Sequence, residues 1–349
     1  YTYEDGYYVI VMTPVNDATK VYNSFLAFEV TTETTPEDSF QDIFSYEDIW
    51  NFMYENSGFN LFGMDVESKD PVDLLTGSFS WNYTDFALYG REPLNFVRYY
   101  ESKDSANDHG FGLGWSTDYS VRLNVADLFA QVFMRRGNRI TFTLNFDGTY
   151  RDSGDYTLAE TGSGYKLQVK SGRTWYFDSD GKLTAIEELD GSTTTCQYSG
   201  NQLTEISNST GSFTLSYGGD HVTRVTDSTG RSITLSYDGD YLSSVENPDA
   251  DSLHYTYGDG FLTTVANFEG EVYVENTYDR LGRVTHQYAA NIGTFDYSYD
   301  YDARHNICTG TNGYVLEIWY DALGRVTASR NAAGTQRAEY NDLFQLISY

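Results

Sequence analysis

The chain has few prolines, few cysteines and no long apolar run. Five prolines and two cysteines occur in 349 residues, and two cysteines neither indicate nor exclude an oxidising compartment. No segment approaches the ~18 apolar residues of a membrane-spanning helix, and no signal peptide is visible. Basic residues are also scarce, because 22 Lys and Arg stand against 51 Asp and Glu, a net charge of −29. Nucleic-acid-binding proteins carry basic patches, so we expect no nucleic acid as a partner.

Motifs for catalysis and for metal or phosphate binding are missing as well. The five histidines form neither an HxxxH nor an HExxH pattern. The Gly112 and Gly114 pair lacks the following Lys-Ser/Thr of a phosphate loop, and no GxSxG sequence occurs. Residues 178–181 (DSDG) match the start of a calcium loop without its later ligands, which favours a hairpin turn. We predict no enzyme activity, no catalytic or metal-binding residue and no cofactor; ligand-binding residues stay unassigned.

What the chain does contain is tyrosine, in a repeating pattern. It has 32 tyrosines and is 17% aromatic, far too aromatic for a disordered acidic chain. A repeat of roughly 20 residues fills residues 172–349 in nine copies. We number the repeats 1 to 9 by their aromatic anchors. These structural repeat anchors are Phe177, Tyr198, Tyr217, Tyr237, Tyr257, Tyr278, Tyr301, Tyr320 and Tyr340.

Each repeat predicts a β-hairpin. Residues before the anchor alternate between apolar and polar, as in Ile233, Leu235 and Tyr237, which is the period of a half-buried strand. After a turn rich in Gly, Asp and Asn, two apolar residues follow three positions apart, and this spacing predicts a β-bulge or a bend. The pairs are Leu203 and Ile206, Val222 and Val225, Leu242 and Val245, Leu262 and Val265, Leu281 and Val284, and Leu323 and Val326. The repeat turn glycines that open most units are Gly191, Gly211, Gly230, Gly270, Gly293, Gly313 and Gly334.

The number of hairpins predicts the shape of the sheet. Nine hairpins would give about eighteen strands, more than an open sheet usually holds without curling or splitting, and strand twist accumulates. The fold class is therefore mainly β, with tandem hairpins in a curled, spiral antiparallel sheet, a partial β-shell. The first apolar residue lies five positions after the anchor in the early repeats and three after it in repeats 6 and 8, so we expect two turn lengths.

Two regions precede the repeats. Residues 1–69 indicate a small α+β segment of unknown family, with strands at 7–12 and 24–32 and a helix over 36–56. Residues 70–171 indicate a β-rich region. Its strands are expected at 77–83, 94–100 and 116–124, with hairpins through 129–150, where the shell is expected to start. We also expect Trp115, which lies among glycines, to fill a tight space.

Two stretches resemble a known family. The sequences YDRLGRVT at 278–285 and YDALGRVT at 320–327 resemble the YD repeats of bacterial Rhs proteins. Residues 70 to about 124 resemble the segment that introduces such repeats, and the resemblance covers about 70–349. The introducing-region motif consists of Pro71, Gly77, Pro93, Arg98, Gly112, Gly114 and Trp115. In that family the repeats wind into a hollow β-shell, so the resemblance implies a shell here.

The resemblance also implies a function. It suggests a structural shell or scaffold segment of a large secreted or bacterial cell-surface protein, which encloses or presents a C-terminal cargo such as a toxin outside this chain. The expected partner is the remainder of its own polypeptide. The alternative is a cell-surface adhesion or glycan-binding module that uses exposed aromatic residues, with a surface glycan or protein as its partner.

Three further expectations concern the chain as a whole. It starts abruptly at Tyr1, so we expect it to be a piece of a longer protein. The last strand, residues 335–339, is polar and carries an Arg and a Glu, which oppose edge-to-edge association, so we expect a monomer with an open C-terminal edge. Whether Cys196 and Cys308 pair is left open, since they lie in different phases of the repeat.

Overall fold

Strands make up most of the part of the chain that the structure describes. The structure, a computed structural model, describes residues 6–11, 25–30, 72–151, 153, 156–169, 172–340 and 346–348. Within these ranges there is no α-helix, and the helical elements are three single 3-10 turns. These are Ser102–Asp104, Arg135–Gly137 and Thr311–Gly313. The helix predicted over 36–56 lies outside the described residues.

A two-stranded hairpin comes first in the chain. Strand β1 (Gly6–Val11) pairs antiparallel with β2 (Phe25–Val30), from Gly6 opposite Val30 to Val11 opposite Phe25. These bounds lie within two residues of the strands that the sequence predicts at 7–12 and 24–32.

Two three-stranded antiparallel sheets follow. The first consists of β3 (Ser80–Leu88), β4 (Leu94–Glu101) and β5 (Trp115–Thr117), and the second of β6 (Arg122–Val125), β7 (Phe129–Phe133) and β8 (Arg139–Thr143). The strand predicted at 77–83 begins later, at Ser80, because Asp73 and Gly77 close a turn with a backbone hydrogen bond of 2.7 Å. The strand predicted at 116–124 is interrupted by a second turn, in which Ser120 N–H donates to the Thr117 carbonyl.

The repeats form one curled antiparallel sheet of 19 strands that does not close on itself. Each strand pairs with the next one in sequence. Its strands are β9 (Tyr156–Thr161), β10 (Gly164–Val169), β11 (Thr174–Asp178), β12 (Leu183–Glu187), β13 (Thr193–Ser199), β14 (Gln202–Ser207), β15 (Ser212–Gly218), β16 (His221–Asp227), β17 (Ser232–Asp238), β18 (Tyr241–Glu246), β19 (Ser252–Gly258), β20 (Phe261–Asn267), β21 (Val272–Tyr278), β22 (Val284–Ala289), β23 (Gly293–Asp300), β24 (His305–Gly310), β25 (Tyr314–Tyr320), β26 (Val326–Asn331) and β27 (Gly334–Arg337). A short pair, β28 (Glu339–Tyr340) and β29 (Leu346–Ser348), ends the chain.

The start of this sheet corrects one expectation. We predicted that the shell begins with hairpins at 129–150, but β7 and β8 there belong to the separate three-stranded sheet. The large sheet begins at Tyr156, where β9 and β10 form a hairpin ahead of repeat 1. That hairpin lacks the anchor pattern, so the repeat alignment did not detect it, although it buries Leu158 and Leu167 as the later hairpins bury their apolar residues.

The two faces of the large sheet differ in composition. Alternate residues on one face are buried and apolar, as Ile233 and Leu235 are on β17, whereas their neighbours on the other face are mostly Ser and Thr. Residues 72–125, which we call the introducing segment, pack on the apolar face. They add Phe79, Phe96 and Trp115 to the same core. The core therefore lies between the introducing segment and the sheet.

Candidate functional site

The repeats keep their apolar pairs on one face by means of a regular β-bulge. In repeat 2, Tyr198 lies opposite Leu203 and Gln197 lies opposite Glu205, which leaves Thr204 as the extra residue. The same shift follows the anchor in repeats 1, 3, 4, 5, 6 and 8. This confirms the bulge that the spacing of three predicts, because one inserted residue restores the second apolar side chain to the core face.

Threonine occupies the bulge position, which the sequence analysis missed. Its hydroxyl donates to the backbone carbonyl of the residue before the anchor, at 3.0–3.3 Å. These bonds join Thr184 to Tyr176, Thr204 to Gln197, Thr223 to Ser216, Thr263 to Thr256, Thr285 to Thr277 and Thr327 to Trp319. Ser243 holds the bulge position in repeat 4. The signal was visible as a Thr or Ser directly after the first buried apolar residue of each of the seven bulged repeats.

The anchor tyrosines join each hairpin to the one before it. At the turn end of a hairpin, the first buried apolar residue after the turn pairs with its own anchor and not with the following hairpin. The next anchor's hydroxyl donates to the carbonyl of this residue, at 2.7–3.0 Å. The bonds run from Tyr217 to Leu203, Tyr237 to Val222, Tyr257 to Leu242, Tyr278 to Leu262, Tyr299 to Val284 and Tyr340 to Val326. Tyrosine therefore fills the gap between hairpins and satisfies a backbone acceptor that phenylalanine would leave unpaired.

The anchor of repeat 7 is Tyr299, so the prediction of Tyr301 is wrong. The hydroxyl of Tyr299 makes the anchor bond, whereas Tyr301 lies in the turn and is 38% exposed. Repeat 7 has no bulge, and its turn spans residues 301–304. Three tyrosines alternate at 297, 299 and 301, and the alignment chose the last because a turn of normal length would place it there. In repeat 8, Tyr320 lies 3.4 Å from the Asp300 carbonyl and 3.4 Å from Asn306 Oδ1.

Two turn lengths occur, and the longer one is found in the YD motifs and in repeat 1, where Phe177 pairs with Leu183. Tyr278 pairs with Val284, six positions later, and Tyr320 pairs with Val326 in the same way. Leu281 and Leu323 were predicted as buried partners of these valines. Instead they lie in the turns, and Leu323 is 39% exposed. The error arose because a spacing of three positions occurs twice in these motifs. One spacing joins the turn leucine to the valine, and the other runs from the valine across the bulge.

The motif acids hold these longer turns. One oxygen of Asp279 accepts the amides of Leu281 and Arg283, and the other accepts Arg283 Nε at 2.7 Å. Asp321 and Arg325 repeat this arrangement in repeat 8. The residues shared by YDRLGR and YDALGR thus form a turn in which the Asp carboxylate accepts backbone amides and the Arg guanidinium neutralises its charge.

The introducing segment contacts six of the hairpins, from repeat 7 near residue 74 to repeat 1 at residue 123. Repeat 7 is met by residues 74 and 75, repeat 6 by residue 77, repeat 5 by residue 100, repeat 4 by residue 113, repeat 3 by residue 110 and repeat 1 by residue 123. The bonds are Asn306 Nδ2 to the Leu74 and Leu75 carbonyls, Val284 N–H to the Gly77 carbonyl, Leu262 N–H to the Tyr100 hydroxyl, Leu113 N–H to the Asp240 carbonyl, Val222 N–H to the Gly110 carbonyl and Leu123 N–H to the Gly181 carbonyl. This segment therefore ties separate hairpins together along their turn ends.

Glycines make these close approaches sterically allowed. A Cβ on Gly77 would lie 2.5 Å from Arg283 Cβ, and one on Gly112 would lie 2.9 Å from the Asp240 carbonyl oxygen. A Cβ on Gly114 would lie 2.6 Å from the Tyr100 ring. All three glycines have positive φ, between 72° and 88°. Any other residue would be strained in its backbone and in contact with a neighbour.

Trp115 is the centre of the segment–repeat contact. It is fully buried, and its Nε1 donates to the hydroxyl of anchor Tyr257 at 2.8 Å. Its ring centroid lies 4.8 Å from that of Tyr255 and 5.5 Å from that of Tyr100. One side chain of the segment thus contacts the anchor strand of repeat 5 through both its polar and its apolar atoms.

A buried ion pair lies beside Trp115. Arg98 is fully buried, and its Nε and Nη2 donate to Asp85 at 2.6 and 2.9 Å, while Nη1 donates to Tyr255 at 3.1 Å. Burial works against the charge of Arg98, but Asp85 and Tyr255 outweigh it and raise the pKa of Arg98. Burial also raises the pKa of Asp85 in spite of Arg98. We assign both groups as charged, because two short parallel hydrogen bonds need a carboxylate that accepts both.

Glu101 is a second buried acid in this contact. It follows Tyr100 on β4 and is 8% exposed. Burial raises its pKa to about 8, against the opposing effect of the Lys103 amide. Burial therefore disfavours the charged form of this carboxyl group in the folded protein.

The remaining predicted residues lie in turns or outside the described ranges. Pro71 lies outside the described residues, and Pro93 is exposed directly before β4. Six of the seven repeat turn glycines have positive φ. Gly211 does not, and its Cβ position would be 2.5 Å from Ser228 Oγ and 2.9 Å from Leu88 Cδ1, so it is needed for a close approach. Cys196 and Cys308 are both buried and unpaired, and burial raises the pKa of each thiol to about 12.

The described residues contain no arrangement typical of catalysis or metal binding. In this part of the chain no group of three or more His, Cys, Asp or Glu is placed to hold a metal ion. Asp178, the first residue of the calcium-like DSDG sequence, accepts the amides of Asp180 and Lys182 at 3.0 and 2.8 Å, which is hairpin-turn geometry. A search of the same residues for a helix long and apolar enough to cross a membrane finds none.

Comparison with known proteins places the introducing segment and the repeats in context. A family model described as a domain of unknown function, DUF6531, matches residues 69–142. Over 193 residues the chain is 29% identical to the tRNA nuclease WapA of Bacillus subtilis strain 168, and 30% identical to the tRNA(Glu)-specific nuclease WapA of Bacillus subtilis subsp. natto. Each match covers 52% of this chain and 8% of the relative, so the chain spans less than a tenth of the length of these relatives.

Solved structures with similar strand arrangements have low scores. The Photorhabdus luminescens Tc holotoxin pore, which includes TccC3, aligns with 74% of this chain and 16% of the other, at 13% identity and a TM-score of 0.37. The TcdB2-TccC3 complex aligns with 74% and 17%, at 13% identity and a TM-score of 0.34. The family match and the WapA relatives support the resemblance to Rhs-type repeat proteins.

Proposed function

We propose that this chain is a structural shell segment of a large Rhs-type protein, and that it encloses or presents a cargo outside these residues. The observation that carries the proposal is the docking of the introducing segment on the repeats. It fixes the turn ends of five consecutive hairpins, repeats 3 to 7, to one layer. A sheet with this support keeps its curvature, as a container wall requires.

The uncovered face of the sheet suits an enclosing wall. It presents hydroxyl groups interspersed with charged side chains such as Glu205, Arg224 and Glu275. No described residue outside the sheet packs on Thr195, Thr214, Ser236 or Thr256, which are all exposed. Hydroxyl groups exchange hydrogen bonds readily with water and with varied partners. A wall of this kind holds a polypeptide without a specific pocket, and it needs no catalytic residue.

The relatives bear on the role of the missing part. The matched WapA proteins are named as tRNA nucleases, and this chain corresponds to 8% of each. We propose that any enzymatic activity of the parent protein resides in other parts of the polypeptide, that the parent is secreted or displayed at the bacterial surface, and that the partner of this chain is the remainder of its own polypeptide.

Limited proteolysis of the parent polypeptide tests the proposal. The segment C-terminal to the repeats should be protected in the parent and cleaved rapidly in a Trp115→Ala variant, because loss of the tryptophan undocks the introducing segment. Trp319→Ala is the matched control, since Trp319 lies half-buried on the opposite face. Equal cleavage of the parent and both variants would remove the enclosure proposal. Glycan-array binding by the isolated chain, lost on substitution of exposed Tyr273 and Tyr288, would favour the adhesion alternative instead.

A further inference from the structure

A cleft of about 400 Å³ lies where the introducing segment leaves repeat 2 uncovered. Its walls come from both sides of the segment–repeat contact. The segment contributes residues 108–111 and 119–122, and repeats 2 and 3 contribute residues 198, 201–203, 217 and 220. The volume is within the range of small-ligand sites.

The floor of the cleft contains a backbone N–H whose counterpart at some other repeats is hydrogen-bonded to the introducing segment. At repeats 3, 5 and 6, the first buried apolar residue after the turn gives its N–H to an oxygen of the introducing segment. The acceptors are the Gly110 carbonyl at 2.8 Å, the Tyr100 hydroxyl at 2.8 Å and the Gly77 carbonyl at 2.9 Å. At repeat 2 the corresponding residue is Leu203, which lines the cleft. Its N–H has no oxygen acceptor in the described part of the segment.

The hydroxyl of Tyr198 is a second open donor in the cleft. The anchors of repeats 3 to 6 donate to the carbonyl of the preceding hairpin, but Tyr198 makes no hydrogen bond to any described residue. Tyr217, on the other side of the cleft, is already engaged with the Leu203 carbonyl at 3.0 Å. The cleft thus presents a backbone N–H and a phenol that lack the acceptors found at repeat 3.

Arg122 supplies a positive charge at the same place. It lines the cleft and forms no ion pair with a described residue, although the chain carries a net charge of −29. The two nearby carboxylates differ in their hydrogen bonding and exposure. Asp108 is held by His221 at 2.6 Å and by the Gly110 and Gly112 amides, whereas Asp220 is exposed at the rim and would oppose an anion.

We propose that this cleft binds a short extended peptide, which offers a glycine carbonyl to Leu203 N–H and a carboxylate to Arg122 and the Tyr198 hydroxyl. Two of the three oxygens at the filled positions are carbonyls of glycines with positive φ, Gly110 at 90° and Gly77 at 72°. A glycine in the ligand allows the same close approach. The carboxylate follows from the unpaired guanidinium, because Arg recognises carboxylates through paired N–H donors.

The test is an NMR titration of the full chain with acetyl-Gly-Gly, followed at the Leu203 amide. A probe this small should bind with a Kd on the order of millimolar and shift the Leu203 amide in a saturable manner. Arg122→Gln should weaken binding roughly tenfold, and the C-terminal amide of the same peptide should lose a similar factor. Asp220→Asn should tighten binding. Tyr237→Phe, which removes a phenol at a filled repeat, should leave the affinity unchanged.

Three outcomes would overturn the inference. The first is the absence of a saturable shift at Leu203. The second is glucuronate binding as tightly as the peptide, since a carboxylate alone would then be the ligand. The third is a drop in melting temperature for Tyr198→Phe as large as for Tyr237→Phe, because that would show that the Tyr198 hydroxyl already has a partner inside the protein.

Discussion

The middle repeats and the last repeats have the same local structure but different surroundings. In repeats 3, 5 and 6 the N–H after the turn bonds to the introducing segment, and in repeat 5 Trp115 and Tyr100 also contact the anchor Tyr257. In repeat 8 the corresponding residue, Val326, has no such partner among the described residues, and all four residues of β27 are exposed. This difference indicates that the repeats form the sheet, while the introducing segment supplies the second layer of the core.

The largest effect should come from removing the tryptophan that joins these layers. Trp115→Ala should lower the free energy of unfolding by about 3–5 kcal/mol, the cost of truncating a fully buried large aromatic side chain. Trp319→Ala, on the half-exposed Trp of repeat 8, should cost only about 1 kcal/mol. Urea denaturation measures both. Equal losses would mean that Trp115 does not join the two layers of the core.

The buried acid gives the contact a pH dependence. The pKa of Glu101 is raised to about 8 from an ordinary value of 4.5, so the folded state holds a proton that the unfolded state releases. The contribution of Glu101 to the free energy of unfolding should therefore be largest below pH 4.5. It should fall by about 1.4 kcal/mol per pH unit as the pH rises from there toward 8. Urea denaturation at several pH values tests this.

Two glutamine variants isolate that effect. Glu101→Gln should remove this part of the slope between pH 5 and 8. Glu339→Gln, on an exposed residue at the C-terminal end, should leave the slope as it is. A parent slope that persists unchanged in Glu101→Gln would show that Glu101 is ionised in the folded protein at all these pH values.

A pair of glycines separates packing from backbone strain. Gly77 and Gly313 have nearly the same φ, 72° and 75°, but only Gly77 lies against another element, whereas a Cβ on Gly313 meets no atom within 4 Å. Gly313→Ala should cost about 1–2 kcal/mol from the backbone alone, and Gly77→Ala about 1–3 kcal/mol more from contact with Arg283. If thermal unfolding gives equal losses, the segment can shift away from repeat 6 without penalty.

The smallest expected effect concerns the anchor hydroxyl. Tyr278→Phe removes the bond to the Leu262 carbonyl and should cost about 1 kcal/mol, while Tyr278→Ala also loses the ring and should cost about 3–5 kcal/mol. Tyr340→Phe removes the same type of bond at the last repeat, where Tyr340 is less buried, and should cost less. A larger loss for Tyr340→Phe in chemical denaturation would reverse the ranking of middle over end.

Much of the fold follows from the sequence, because it depends on short-range patterns. Alternation before Tyr237 predicts a strand, and the spacing of Leu242 and Val245 predicts the bulge. The same local reasoning failed at Tyr301, since three tyrosines alternate and an irregular turn decides which one faces the core. It also placed Leu281 in the core, because a turn leucine and a core leucine have the same spacing from Val284.

The contact between the introducing segment and the repeats was less accessible from the sequence. The motif residues Gly77, Arg98 and Trp115 were identified, but no local sequence pattern indicates which repeat each part of the segment contacts. Most of these contacts join residues more than 100 positions apart, such as Tyr100 and Leu262, and they involve backbone atoms that carry no side-chain signal. Threonine at the bulge, by contrast, was a visible pattern that the analysis did not use.

Hydrogen exchange of single amides tests whether the introducing segment completes the core of the middle repeats. We expect slow exchange for Val222, Leu262 and Val284, whose N–H groups bond to the introducing segment, and fast exchange for Val326 and for residues 334–337 at the open edge. In Trp115→Ala the first three amides should become fast, while amides within the paired strand 232–237 stay protected. Equal protection of Val326 and Val284 in the parent, or no change in Trp115→Ala, would contradict the claim that the introducing segment completes the core of the middle repeats.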